Sequence, residues 1–532
     1  MRISLLLLLV FTLHFSPSSH AQSSLKKYWV FFTDKEQGSF DPYQYFDVKA
    51  IERRLKSDIP VNDKSDWPVR SSYIENVRNI ASSTSHSSRW FNALGITATE
   101  DEVFEIHQLS FVKAIEPMMT YSYPASIVKQ KKKAYGDDLS DYQMKLLKKQ
   151  TARMEGDVFH DENIKGQGIR IAIFDAGFPT VDVNPAFEHI RSANRILKTR
   201  DFLTNRENVY KNSAHGCNVL SCIAGIINGQ RIGLATEAEF LLARTESGLF
   251  EPFSEEENWL AATEWADKNG ADIINSSLGY TNNRYFPSDM DGKKSLVARA
   301  ANMAAKKGIL ILNAAGNDGA DEWKYQGTPA DADSVLSIGG IDFGTDFHIS
   351  FSSFGPTSDK RMKPNICAFG VAVVAGKKRM EIAYGTSFSS PLAAGFAACA
   401  WQTDRNATNM EMFKKLEQSG ELYPYFDYAH GYGVPQASFF IPGKNEDIKP
   451  TFELKTSGIN LSVEIDKEQF DLEGEDAGAL LFYHIENDQG YLDKYFVVSV
   501  HQYSVLQFDA SDFKRGSTLR IHFKGYTTSH AF

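Results

Sequence analysis

RIAIFDAG, at residues 170–177, is an apolar run that leads directly into an aspartate, and a glycine follows two positions later. Comparable apolar runs follow and alternate with segments of helical periodicity. They are HGCNVLSCIAGII (215–227), AEFLLART (238–245), EENWLAATEWADKNG (256–270), ADIINSSLG (271–279), SLVARAANMAAKKG (295–308), ILILNAAGN (309–317) and SVLSIGGID (334–342). Near-continuous apolar strands between helices indicate a parallel sheet covered on both faces. The sequence therefore predicts an α/β fold with a doubly wound sheet.

Polar residues occupy the places where such a sheet carries function. Asp175, Ser277 and Asn317 each fall at or just after the end of a predicted strand, where functional groups of parallel sheets gather. His215 and Ser387 instead open predicted helices, whose N-terminal amides favour negative charge. We expect these five residues to meet in one cleft.

The residue types in that cleft indicate nucleophilic catalysis. The hydroxyl of Ser387, in YGTSFSSPLAAG (384–395), is a poor nucleophile unless an imidazole takes its proton, and His215 is the candidate base. A buried carboxylate would fix the tautomer of the imidazole and stabilise its cation, and Asp175 leaves an apolar strand suited to place one. The sequence predicts a serine hydrolase.

These segments resemble the subtilisin-like (subtilase) family of serine endopeptidases. The order Asp, His, Ser is that of subtilisin. The likeness extends to ILNAAGNDGA (311–320) and NSSLGY (275–280), and it covers roughly 160–440. Further matches are GTPADADSVLSIGG (327–340) and FSSFGPTSDKRMKPNICAFG (351–370).

The resemblance implies a role for each matching residue. Asn317 would contribute its side chain to the oxyanion hole, and the remaining positions would form the substrate cleft and the primary pocket. These are Ser277, Leu278, Gly279, Ala314 and Gly316. The implied reaction is hydrolysis of protein or peptide substrates through an acyl-enzyme. It requires no cofactor. No loop matches the family's tight calcium site, but surface carboxylates such as Asp182 leave room for a structural calcium ion.

Three alternatives are weaker. An α/β-hydrolase lipase or esterase would carry a G-x-S-x-G elbow and the order Ser, Asp, His. A binding protein without activity would lack one of the four chemistry-bearing residues. Cys217 stands next to the base, but Ser387 has its own full motif. The four cysteines and the histidines show no zinc-type spacing, so we predict no metal site from them.

Composition limits the remaining possibilities. A chain of 532 residues is expected to form two or three domains, and 42% hydrophobic with 23% charged residues is typical of globular proteins. The formal net charge of −10 argues against a nucleic-acid partner.

The N-terminus predicts export. Residues 1–21 contain Arg2, a 13-residue apolar run and small residues before Gln22, which indicates a cleaved signal peptide. The alternative is an uncleaved anchor, although the run is shorter than the ~20 residues that span a bilayer. No second run of that length follows, so we expect a mature protein without a transmembrane span, secreted or at the cell surface.

Strand-like runs alternate with helical ones in residues 22–120, which predicts a small α+β module. This segment resembles the inhibitor-like propeptide of subtilases, with 40–72 as an insertion. Such a propeptide occupies the cleft as an intramolecular inhibitor, so the resemblance implies a self-processing zymogen; a permanent accessory domain is the alternative. We expect a linker with the maturation cut at 121–135, a peptidase domain at 136–442, and a C-terminal domain at 450–532. Short alternating runs in the last segment predict a β-sandwich-like module whose role is open.

Overall fold

The computed structural model describes three packed units of the chain. The described residues are 24–35, 40–118, 140–247, 254–281, 284–377, 379–443, 448–470, 479–501 and 504–532, together with the backbone of 123–124 and 250–251. The predicted signal peptide and nearly all of the predicted linker lie outside them.

The N-terminal unit is the predicted α+β module. Its elements are β1 (Lys26–Phe32), α1 (Pro42–Tyr45), α2 (Val48–Lys56), α3 (Ser71–Ile80), β2 (Ser83–Ser88), β3 (Ala93–Ala98), α4 (Glu100–His107) and β4 (Val112–Met118). The strands form an antiparallel sheet in the order β2-β3-β1-β4. Val30 and Ile96 lie in the core beneath α3 and α4. The predicted insertion contains α1 and α2. A two-residue strand, β5 (Tyr123–Pro124), follows.

The central unit is built on seven parallel strands in the order β15-β14-β13-β12-β6-β10-β7. Its strands are β6 (Arg170–Asp175), β7 (Ile196–Asp201), β8 (Ile226–Ile227), β9 (Gln230–Arg231), β10 (Glu239–Arg244), β11 (Phe250–Glu251), β12 (Ile273–Ser276), β13 (Leu310–Ala314), β14 (Val335–Ile341), β15 (Ile366–Phe369), β16 (Val371–Ala375) and β17 (Met380–Tyr384). Its helices are α5 (Asp141–Ala152), α6 (Gly156–Asp161), α7 (Glu188–Ser192), α8 (His215–Ala224), α9 (Ser254–Lys268), α10 (Leu296–Lys306), α11 (Thr386–Thr403) and α12 (Asn409–Gln418).

Strand β6 shows why the apolar runs do not alternate with polar residues. Ile171 and Ile173 belong to the core beneath α8 and α11, whereas Ala172 and Phe174 belong to the core beneath α9 and α10. Successive side chains point to opposite faces of a strand, and here both faces are buried. The doubly wound sheet predicted from the sequence is confirmed.

Two details of the central unit differ from the sequence-based expectation. The helix expected over 215–227 ends at Ala224, and Ile226–Ile227 instead form β8, which pairs with β9. The edge strand β7 was not expected, since its sequence, ILKTRD, carries charges on a half-exposed strand.

The C-terminal unit is strand-rich, as predicted. Its strands are β18 (Phe452–Ser457), β19 (Asn460–Ile465), β20 (Ala479–Glu486), β21 (Leu492–Val500), β22 (Val505–Asp509), β23 (Thr518–Phe523) and β24 (Tyr526–Ala531). They form the antiparallel sheets β18-β19-β22 and β21-β20-β23-β24, which enclose Val463, Leu481 and Ile521. The ring of His484 stacks on Tyr425 of the central unit, with ring centroids 4.9 Å apart.

Within the described parts of the chain, none of the helices is long and apolar enough to cross a membrane. The four cysteines are buried and free.

Candidate active site

Asp175 and His215 form a fixed pair at the carboxyl end of β6. The carboxylate of Asp175 is fully buried, and its Oδ2 lies 2.8 Å from Nδ1 of His215. Its Oδ1 accepts a hydrogen bond of 2.7 Å from the backbone N–H of Ala176. Because a carboxylate only accepts, Nδ1 carries the proton and Nε2 is left as the basic nitrogen.

The same pair sets the basicity of His215. Burial alone lowers the pKa of the imidazole, but the charge of Asp175 and its hydrogen bond outweigh burial, so the pKa of His215 is raised above its ordinary value. A raised pKa makes Nε2 a stronger proton acceptor. The ring lies beside Phe388, with ring centroids 5.5 Å apart, and Phe388 directly follows Ser387 in the chain.

Ser387 lies in the first turn of α11, where backbone N–H groups have no acceptor within the helix. Its hydroxyl donates to the backbone carbonyl of Ser277 at 3.1 Å. The hydroxyl of Ser277 donates in return to the carbonyl of Ser387 at 3.0 Å. These two bonds connect the start of α11 to the residue that follows β12.

Asn317 is oriented by Thr386. Its Oδ1 accepts from the backbone N–H of Thr386 at 2.9 Å and lies 3.2 Å from the Thr386 hydroxyl. Since an N–H group can only donate, Oδ1 must face Thr386, and Nδ2 is directed away from it. Nδ2 is therefore available to a substrate oxygen near the N-terminus of α11. Thr386 is a site residue that the sequence reasoning missed, although it stands in the GTS motif beside Ser387.

The predicted pocket residues lie at the ends of two neighbouring strands. Ser277, Leu278 and Gly279 follow β12, and Ala314 and Gly316 end and follow β13, which pairs with β12 in parallel register. Asn313 joins the two segments, because its Nδ2 donates to the carbonyl of Leu278 at 2.9 Å. All nine residues named from the sequence thus lie along one edge of the sheet.

Cysteine chemistry has no support in this site. Burial raises the pKa of the Cys217 thiol to about 12, and its Sγ lies 3.4 Å from the carbonyl oxygen of Ala375. A thiol needs a low pKa to supply a thiolate near neutral pH. Cys217 is a small buried residue.

Metal ligands do not converge in the described residues. No three His, Cys, Asp or Glu side chains among them are placed to hold a metal ion together, and Asp182 is exposed. Calcium takes about six to eight oxygen ligands, which include backbone and amide carbonyls and water as well as carboxylates.

Comparison with known proteins gives the family. The model of the subtilase family matches residues 166–433, which include every residue of the site described above. The chain belongs to the subtilase family. A model of the peptidase S8 propeptide domain of Bacteroidota matches residues 27–134. We therefore call the central unit the subtilase domain and the N-terminal unit the propeptide domain.

Two curated relatives illustrate the distance within the family. A thermostable alkaline protease of Halalkalibacterium halodurans is 28% identical over 268 residues, covering 49% of this chain and 64% of the relative. Serine protease AprX of Bacillus subtilis is 27% identical over 318 residues, covering 54% and 69%. The solved structure of sphericase is 24% identical with a TM-score of 0.43, covering 51% of this chain and 92% of its own. The match thus spans less than two thirds of the first relative.

Proposed function

We propose that this protein is a secreted serine endopeptidase, made as a self-processing zymogen, that uses Asp175, His215 and Ser387. The observation that carries the proposal is the buried Asp175 carboxylate 2.8 Å from Nδ1 of His215, beside the first turn of the helix that bears Ser387. This arrangement supplies a base of fixed tautomer next to a hydroxyl at a helix N-terminus.

The reaction proceeds by acyl transfer. The Ser387 hydroxyl turns from the Ser277 carbonyl to Nε2 of His215, gives up its proton and attacks the scissile carbonyl carbon. Nδ2 of Asn317 and the N–H of Ser387 bind the oxyanion. When the C–N bond breaks, His215 returns the proton to the leaving amine. Water then attacks the acyl-enzyme by the same route and releases the acid.

Substrate is held by strand addition. The backbone of 277–279 offers an edge after β12, and glycine at 279 leaves that edge open, since a Cβ there would meet only the carbonyl oxygen of Thr328, at 3.7 Å. Backbone pairing binds extended peptides with little dependence on their side chains. We therefore expect broad activity on unfolded proteins.

The propeptide's own chain supports a cleft-occupying role. β5 of the linker pairs antiparallel with β11, so that Pro124 faces Phe250 and Tyr123 faces Glu251. This strand addition uses the backbone just before α9. We propose that the linker enters the substrate groove there and is cut within residues 121–135.

The test compares the full-length wild type with Ser387→Ala by intact-mass spectrometry and by peptide release from denatured casein. We expect the wild type to lose a fragment ending within 121–135 and to digest casein, and the variant to stay uncut and inactive. N-terminal sequencing of exported protein tests the signal peptide. Cleavage of both chains would assign the cut to another protease. A wild type that stays intact and inactive would contradict the proposal.

A further inference from the structure

The propeptide domain contacts the subtilase domain through two separate surfaces. The first is the face of its sheet, where Trp29 and Trp90 pack with Trp259 on the α9 and α10 side of the subtilase domain. Glu264 of α9 also accepts hydrogen bonds from the Ser88 hydroxyl at 2.5 Å and from the backbone N–H of Arg89 at 3.1 Å. This first surface is formed by the sheet of the propeptide domain, outside the predicted insertion.

The second surface is formed by residues 40–70, which we call the anchor segment. Its helix α2 crosses the C-terminal ends of α9 and α10. Gly270 and Gly308 end these helices with φ of +71° and +89°. A Cβ at Gly270 would lie 2.9 Å from Cβ of Lys49, and one at Gly308 would lie 3.1 Å from Cγ of Arg53. The two glycines therefore allow the helix to approach.

Arg53 binds the free carbonyl groups at these helix ends. Its Nε donates to the carbonyl of Lys307 at 3.0 Å, and its guanidinium also contacts the carbonyl of Ala271 and the carboxylate of Asp267. The last carbonyls of a helix have no partner within it, and the helix dipole makes that end negative. A buried arginine satisfies both requirements.

Three further charges, on Arg54, Asp66 and Lys307, complete the buried cluster. Arg54 donates to Oδ2 of Asp267 at 2.7 Å, and Nζ of Lys307 lies 2.9 Å from Oδ2 of Asp66. Each of these side chains is at most 3% exposed. The propeptide domain supplies Arg53, Arg54 and Asp66, and the subtilase domain supplies Asp267 and Lys307. Separating the domains would break each pair that joins them. Removing one partner of a buried pair leaves the other charge uncompensated.

Residues at the rim of the second surface also bond to the subtilase domain. Lys49 contacts Asp272, and the carboxylate of Asp47 forms an ion pair with Arg170 at 3.1 Å. The backbone N–H of Asp47 donates to the carbonyl of Lys268 at 2.9 Å. These contacts surround the buried cluster. The anchor segment therefore has both a desolvated centre and a polar border, as a specific interface does.

The anchor segment lies at the edge of the sheet opposite the active site. Ala271 and Asp272 lead into β12, and Lys307 and Gly308 lead into β13, so the cluster surrounds the N-terminal ends of these strands. Ser277 and Asn317 follow their carboxyl ends. The cluster therefore contains none of the residues that form the cleft.

We propose that the anchor segment forms an independent binding interface. It keeps the cut propeptide domain bound to the subtilase domain after the linker has left the substrate cleft. Its partner is the recess formed by Asp267, Ala271, Asp272 and Lys307. This inference rests on the proposed self-processing, because that reaction would produce the cut propeptide. The binding itself requires no catalysis.

The experiment uses the full chain with Ser387→Ala and a recognition sequence for a site-specific protease placed between residues 125 and 139. After that cut, size-exclusion chromatography measures how fast the N-terminal fragment leaves. Arg53→Met removes the central contact and Lys49→Met a rim contact. Lys26→Met is the matched control, because Lys26 pairs with Glu100 inside the propeptide domain. Thermal unfolding of each uncut chain checks folding.

We expect the fragment to dissociate roughly 30-fold or more faster in Arg53→Met, several-fold faster in Lys49→Met, and at the parent rate in Lys26→Met. If Arg53→Met does not fold, Lys49→Met decides. Parent-like rates for the folded anchor variants, or equal acceleration by Lys26→Met, would overturn the proposal. Lack of protease activity in the wild type would contradict the proposed function but leave this result unaffected.

Discussion

Thr386→Val tests whether Thr386 positions the oxyanion hole. The Thr386 side chain is fully buried. Its hydroxyl lies 3.1 Å from the carbonyl oxygen of Gly316 and 3.2 Å from Oδ1 of Asn317. The same hydroxyl accepts a hydrogen bond from the backbone N–H of Gly316 at 3.2 Å. Valine keeps the shape and the backbone N–H that donates to Asn317. It removes the hydroxyl alone.

The expected loss follows from the bonds that disappear. One donated and one accepted hydrogen bond are lost, each worth about 0.5–1.5 kcal/mol, or about 1–3 kcal/mol together. If this free energy is lost from the stabilisation of the transition state, kcat drops roughly 5- to 160-fold. The upper limit is the loss of the donor itself, which costs about 10²–10³ in kcat for the corresponding asparagine of subtilisin, a measured value from a relative.

The assay is steady-state hydrolysis of a chromogenic peptide, with kcat and KM determined separately. The change should fall on kcat, because the oxyanion forms only in the transition state. Thr386→Ser keeps the hydroxyl and should retain activity near the wild type. A Thr386→Val enzyme within twofold of the wild-type kcat, or one whose loss lies in KM, would refute the positioning role.

Three further outcomes are expected. The value of kcat/KM should rise with pH as His215 loses its proton, with a midpoint above the ordinary imidazole pKa of 6.5. Asp175→Asn should lower both that midpoint and the activity. A wild-type midpoint below 6.5 would contradict the assignment of His215 as the base. Iodoacetamide should leave Cys217 and the other buried thiols unmodified in the native enzyme and label them after unfolding, as mass spectrometry would show. Phe396→Ala, which empties a buried position beside Phe159, should lower the free energy of unfolding of the Ser387→Ala chain by about 3–5 kcal/mol in a denaturant titration, whereas Phe396→Leu should cost much less.

The fold of the subtilase domain could be predicted because its information is local. The apolar run of β6 is buried on both faces, and such runs are visible in the sequence without knowledge of their neighbours. Strand β7 was missed for the same reason: its sequence contains Lys198 and Arg200, and it lies at the edge of the described sheet, where it pairs with β10. Local pattern identifies the centre of such a sheet better than its edge.

The same contrast between local and distant information applies to the functional residues. Asp175, His215 and Ser387 each stand in a distinctive local sequence, so they were found. Thr386 was missed because its role is a hydrogen bond to Asn317, 69 positions away. The sequence gives no signal for the role of Arg53 and Arg54, which lie in the predicted insertion. Their partners Lys307 and Asp267 lie 254 and 213 positions away. Residues that act through distant backbone groups leave no local pattern.

The topology of the subtilase domain explains why its two functional edges carry opposite kinds of ligand. In a parallel sheet with crossover helices, each helix runs back against its strands, so helix N-termini gather at the carboxyl edge and helix C-termini at the other. The first edge places the N-termini of α8 and α11 at His215 and Ser387, where the proposed reaction would develop an oxyanion. The second exposes the carbonyl ends of α9 and α10, which suit the cationic side chains of the anchor segment. One arrangement of helix dipoles therefore favours an anionic transition state at one edge of the sheet and a cationic anchor at the other.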